Sequence, residues 1–88
     1  MKNWFVYILQ CKNGTFYTGI TPNLQRRFQE HKEGRGGRYT GLSKIEKLIY
    51  FEKYFTKEEA LKREKQLKGW SYKKKENLIK LEYLYSPA

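Results

Sequence analysis

The chain has 88 residues, enough for one domain, and a domain this small buries only about 60% of the surface its unfolded form exposes, so its thin core leans on a 17% share of aromatic residues. Lys and Arg number 19 against 9 acidic residues, a net charge of +10, which favours a polyanionic partner through counterion release at each phosphate contact. One Cys and one His exclude both a disulfide framework and a structural Cys/His zinc cluster within the chain.

The longest apolar run, Trp4 to Leu9, falls far short of the ~20 residues that span a bilayer, and no export-signal pattern precedes it. The basic helices lack a broad Leu/Phe/Trp face, so a membrane surface is not the expected anion. Nucleic acid is. Cys11, inside an apolar run, reads as a small buried hydrophobe in a reducing, cytoplasmic setting.

Taken in order, Trp4 to Gln10 predicts a strand, Asn13-Gly14 a turn, and Thr15 to Ile20 the partner strand. Thr21-Pro22-Asn23 supplies a cap and an early proline for a helix reaching about Glu33, ended by Gly34, Gly36 and Gly37. Gly34 to Lys44 sets Arg35, Arg38 and Lys44 among glycines as a basic loop, with a short helix or turn around Tyr39 as an option. Lys47 to Phe55 predicts a third strand. Thr56-Lys57-Glu58-Glu59 is a capping box for a helix to Lys68, stopped by Gly69, and Ser71 caps a last helix to about Tyr83. No repeat or linker divides residues 1–88, which read as one domain. The order β-β-α-loop-β-α-α, with a tight hairpin first, predicts an α+β domain whose sheet is at least partly antiparallel.

Hairpin register decides what the tyrosines can do together. A two-residue loop pairs Tyr7 with Ile20 and turns Tyr17 to the opposite face. A three-residue loop, Lys12-Asn13-Gly14, sets Tyr7 against Gly19 and Leu9 against Tyr17, so both tyrosines share a face. The second register is expected, with Gly14 left-handed and Gly19 leaving space beside the Tyr7 ring.

Two ionisable groups fall on stripes that should be apolar. Leu24, Arg27, Phe28 and His31 occupy i, i+3, i+4 and i+7, which turns Arg27 and His31 inward and Arg26 out to solvent. On the later helix Ala60, Leu61, Glu64 and Leu67 make one stripe, so Glu64 faces inward and must be paired, hydrogen-bonded or metal-bound. A structural Glu64–Arg27 ion pair is the plain alternative to a metal.

Phe5-Val6-Tyr7, ten residues before Tyr17-Thr18-Gly19, then Asn23-Leu24-Gln25-Arg26-Arg27 with His31, then Ala60-Leu61-Lys62-Arg63-Glu64, together resemble the signature of the GIY-YIG nuclease family. The resemblance covers nearly the whole chain, and is nearest to small stand-alone members similar to the N-terminal nuclease domain of the UvrC-type excision-repair endonuclease. It implies a small three-stranded antiparallel sheet flanked by helices, and hydrolysis of a DNA phosphodiester with one divalent ion, Mg²⁺ or Mn²⁺, in repair or recombination. By the family pattern Glu64 binds the metal, Arg27 stabilises charge on the scissile phosphate, and Tyr7 and Tyr17 are the two candidates to assist the attacking water. Three departures stand out: Phe5 replaces the first motif's glycine, Ile20 replaces a lysine after Gly19, and Asn77 only approximates the late asparagine.

A single carboxylate suffices for Mg²⁺, which keeps waters and takes phosphate oxygens as further ligands. A tyrosine, with ordinary pKa about 10, becomes a base only if nearby cations lower that value; Arg27, the metal and His31 are the available ones. Lys73-Lys74-Lys75, with Arg26, Arg35, Arg38 and Lys44, are positioned to track a nucleic-acid backbone. Trp4 and Trp70 read as half-buried anchors rather than base-stacking platforms. The expected partner is branched or nonspecific duplex DNA, with RNA as the alternative. The competing reading is a catalytically idle nucleic-acid-binding module or an adaptor subunit.

Overall fold

The computed structural model describes residues 3–34 and 45–85, the last four of these by backbone alone. The hairpin forms first: β1 (Trp4–Cys11) and β2 (Phe16–Thr21) pair antiparallel with Tyr7 opposite Gly19 and Leu9 opposite Tyr17. The loop is Lys12-Asn13-Gly14, closed by Cys11 N–H to Thr15 O at 2.9 Å and Gly14 N–H to Cys11 O at 2.9 Å. Gly14 takes φ +88°, the left-handed conformation this loop requires.

Helix α1 (Leu24–Lys32) is capped by Asn23, whose side chain accepts the Arg26 N–H at 3.0 Å. Pro22 lies ahead of the cap rather than in the first turn as the sequence predicted, because Thr21 is still strand and binds the Asn23 N–H through its hydroxyl at 3.1 Å. The helix ends at Lys32, and Gly34 (φ +82°) returns its N–H to His31 O at 3.1 Å. Arg35, Gly36, Gly37, Arg38, Tyr39 and Lys44 lie outside the described residues.

β3 (Ile45–Tyr54) starts two residues earlier than the expected Lys47 and joins β1 antiparallel, giving the order β2-β1-β3. Two register shifts fall in this pairing, between Ile8 and Leu9 and between Gln10 and Cys11. The central strand is covered on both faces, which is why Val6 to Leu9 is a continuous buried run and not an alternating one. Helix α2 (Lys57–Lys68) opens on its capping box: Thr56 Oγ1 accepts the Glu59 N–H at 3.2 Å and donates to Glu59 Oε1 at 3.0 Å. Helix α3 (Tyr72–Tyr85) follows, with Ser71 Oγ accepting the Lys74 N–H at 3.2 Å.

One face of the sheet presents Tyr7, Leu9, Cys11 and Ile45 to Leu24 and Phe28 of α1. The other presents Val6 to Ala60 and Leu67 of α2, with Trp4, Trp70 and Leu78 packed around them. Both tryptophans are half-buried anchors, as expected, each under a cation: Lys57 over Trp4 and Lys74 over Trp70. The fold is α+β, a three-stranded antiparallel sheet flanked by helices. No described helix is long and apolar enough to cross a membrane.

Candidate active site

The register places Tyr7 and Tyr17 diagonally on one face, their ring centroids 6.3 Å apart. Gly19 is what lets the Tyr7 ring lie across β2. A Cβ built at Gly19 would stand 2.6 Å from the Tyr7 hydroxyl oxygen and 2.8 Å from Cζ, closer than any carbon can approach. His31, on the last turn of α1, completes the group, with Nε2 2.9 Å from the Tyr7 hydroxyl and its ring 5.0 Å from that of Tyr17.

Burial sets the electrostatics here. Tyr7 is only 2% exposed, and removal from water pushes its pKa up to about 12; Arg27 pulls it down by hydrogen bonding and charge, while the charges of Tyr17 and Glu64 push it further up. His31 is lowered to about 4, by burial first and then by the Arg27 charge, with Glu30 opposing. The expectation that His31 helps lower a tyrosine pKa is therefore corrected: the imidazole is neutral near pH 7, because a second cation cannot be held dry beside Arg27. Arg27 can only donate to the Tyr7 oxygen, while between the Tyr7 hydroxyl and His31 Nε2 the donor is set by the imidazole tautomer.

Arg27 faces the site from α1 and bonds Glu30 Oε1 through Nη1 at 3.0 Å. Burial pulls its guanidinium down, but Glu30 and the Tyr7 hydroxyl outweigh that and secure its charge. Arg26 turns outward as expected, 61% exposed. Glu64, 17% exposed, is close enough for its charge to act on Tyr7, and its ion pair is with Lys68 at 3.4 Å rather than with Arg27. Leu61 departs from the predicted inward stripe: it is 43% exposed, because Ala60 and Leu67 sit over Val6 and tilt that edge of α2 to solvent.

Among the described residues no three His, Cys, Asp or Glu side chains gather. The lone oxygen donor of Glu64 suits a hard cation that keeps most of its waters, and suits no all-protein cage. Lys73 and Lys74 are exposed on the first turn of α3 and Lys75 is half-buried there. Asn77 is exposed on the same helix.

Sequence reasoning missed a second polar cluster. Glu52 of β3 receives the hydroxyls of Tyr50 and Tyr54 and the fork of Arg63, whose Nε lies 3.0 Å from Oε1 and Nη2 3.1 Å from Oε2. The spacing Tyr50, Glu52, Tyr54 on one strand face was its available signal. Burial pushes the Glu52 carboxyl up, but Arg63 and the two hydroxyls hold it below the usual carboxylate range. This cluster ties α2 to β3 on the face away from Tyr7.

The fold is a small three-stranded antiparallel sheet flanked by helices, and the GIY-YIG catalytic domain matches this chain over residues 3–77. The chain belongs to the GIY-YIG family, a family of nuclease domains. It is 42% identical over 80 residues to UPF0213 proteins of Staphylococcus aureus strains, covering 91% of this chain and 98% of theirs. The solution NMR structure of a UPF0213 protein from Bacillus halodurans is 41% identical, with TM-score 0.58, 90% of this chain covered and 84% of that one. That of an E. faecalis protein is 36% identical, with TM-score 0.65, 100% of this chain covered and 94% of that one.

Proposed function

We propose that this chain is a divalent-metal-dependent endonuclease that hydrolyses DNA phosphodiesters. The observation that carries the reading is the convergence on one sheet face of Tyr7, Tyr17, His31 and Arg27 within reach of the Glu64 charge. Glu64 would hold one Mg²⁺ or Mn²⁺, which supplies Lewis-acid charge to a bound phosphate. Arg27 offsets negative charge developing on the phosphate oxygens through its fork of donors.

Tyr17 is the residue that meets the water. Its ring is half-buried, whereas Tyr7 is closed off and its hydroxyl committed to His31. Tyr7 and neutral His31 set the orientation of Tyr17 and of Arg27, and Tyr7 is a positioning residue in this scheme. The substrate is branched or nonspecific duplex DNA, since among the described residues no element presents a row of side chains suited to base edges. Repair or recombination and the cytoplasm, where the free buried Cys11 stays reduced, are the matching setting.

The Glu64–Lys68 pair favours a second reading, in which the carboxylate is structurally neutralised and the domain binds nucleic acid without cutting it. Glu64→Ala separates the two. On the nuclease reading it abolishes Mg²⁺- or Mn²⁺-dependent nicking while metal-free DNA binding at low salt stays within about twofold of wild type. Equal nicking by the variant overturns the assignment, and an inactive wild type across branched, flapped, duplex and single-stranded DNA and RNA favours the binding module.

A further inference from the structure

Arg27 is held from two sides. Its Nη1 donates to Glu30 Oε1 at 3.0 Å, one turn further along α1, and its guanidinium hydrogen-bonds the buried hydroxyl of Tyr7. The second carboxylate oxygen of Glu30, Oε2, lies 4.0 Å from Nε of Arg26. One carboxylate thus stands between two neighbouring guanidiniums, one turned to the site and one to solvent. The proposed reaction gives Glu30 no part.

Stability does not account for this arrangement. The Arg27 and Glu30 side chains are 31% and 29% exposed, and an ion pair so open to water, between residues three apart on one helix, adds little to stability. Orientation does account for it. An arginine reaches out on a flexible stem, and its charge serves a phosphate best when the planar fork faces the oxygens. The Tyr7 hydroxyl anchors one point of that plane, about which the plane can still turn. A second anchor at Nη1 fixes it. The guanidinium carries five N–H donors, so a carboxylate at Nη1 aims the fork without consuming it. The same carboxylate repels the phosphates that the two arginines attract. Removing it should therefore act in opposite directions on binding and on rate, which a merely structural role would not do.

We propose that Glu30 is a positioning residue for the nicking reaction, aiming the Arg27 fork at the scissile phosphate through its bond to Nη1. The effect on rate rests on the nuclease reading; the orientation of Arg27 does not.

Single-turnover nicking at saturating DNA with Mg²⁺ or Mn²⁺, and metal-free fluorescence anisotropy on the same DNA, test this on the full chain. The variants are Glu30→Ala, Glu30→Gln and, as the control for charge on the same helix, Glu33→Ala, whose carboxylate accepts from Gln29 Nε2 at 3.0 Å instead. Glu30→Ala is expected to nick about 10-fold more slowly, with an unchanged Tm and with binding equal to wild type or about twofold tighter. Glu30→Gln keeps a carbonyl oxygen for Nη1 and should recover most of the rate. Glu33→Ala should nick like wild type. The role is overturned if Glu30→Ala nicks like wild type, if Glu30→Gln is as slow as Glu30→Ala, if Glu33→Ala is equally slow, or if the loss in Glu30→Ala lies in affinity alone.

NMR of the ¹⁵N-labelled Arg27 guanidinium separates the two ideas. Its Nη1 protons should be protected from exchange in wild type and Glu30→Gln and unprotected in Glu30→Ala. That pattern with no cutting by wild type leaves the orientation standing and removes the nuclease reading. Cutting by wild type with the protons equally protected in Glu30→Ala leaves the nuclease and overturns the role of Glu30.

Discussion

The hydroxyl of Tyr7 and Nε2 of His31 meet at 2.9 Å, in a contact that ties the central strand to the last turn of α1. Both partners are almost wholly buried, and burial disfavours the charged form of each by more than Arg27 or Glu30 restores. The bond therefore joins two neutral groups, and this has consequences for how stability and catalysis depend on pH.

The first concerns His31. Its pKa is lowered from an ordinary 6.5 to about 4, so between those values the unfolded chain binds a proton that the folded chain refuses. Stability accordingly falls as the pH drops from about 6.5 to 4. In His31→Gln that part of the fall disappears, which urea denaturation at several pH values across the window measures. An unchanged pH slope in the variant would refute a neutral buried imidazole.

The two tyrosines should separate experimentally. Tyr7→Phe leaves His31 Nε2 buried without its partner and is expected to cost about 1–3 kcal/mol of stability, with a partial loss of nicking. Tyr17→Phe removes the accessible hydroxyl and is expected to lower the nicking rate about 10²-fold or more while shifting Tm little. If Tyr7→Phe proves the more damaging to rate and the less damaging to Tm, the assignment of Tyr17 as the water-facing residue is wrong.

Gly19→Ala probes space rather than chemistry. The added methyl would overlap the Tyr7 hydroxyl end at 2.6 Å, and the buried ring has His31 and Tyr17 on its other sides. Overpacking of this kind is expected to cost about 1–3 kcal/mol and to displace the Tyr7 ring. The check is a thermal melt together with the aromatic NMR signals of Tyr7 and His31, and unshifted signals with unchanged Tm would contradict it.

Glu52→Gln tests the second polar cluster. Because the Glu52 carboxyl is held below its ordinary pKa, its contribution is present above the usual carboxylate range and is lost as pH falls through the lowered value. The substitution leaves Arg63 half-buried without its bidentate partner and should cost about 2 kcal/mol or more near pH 7. The deficit should narrow in acid, where wild type loses the same pairing. Chemical denaturation at pH 7 and pH 3 reads both effects, and a deficit that widens in acid would reverse the sign of the argument.

Much of this molecule is written locally. The three-residue loop with Gly14, the capping box at Thr56, the alternation that puts Tyr7 and Tyr17 on one face and the 3.6-residue spacing that turns Arg27 and His31 inward all follow from neighbours a few positions apart. These settled the α+β class and brought four candidate residues onto one side of the sheet. Local spacing was silent on what each side chain meets from another element. That Leu61 is left to solvent and that Arg63 clamps Glu52 depend on how α2 lies on the sheet. The same holds for His31, whose ring is polar in sequence but neutral in place. Burial and Coulomb fields are sums over everything within several ångströms, and only the packed chain decides what that neighbourhood contains.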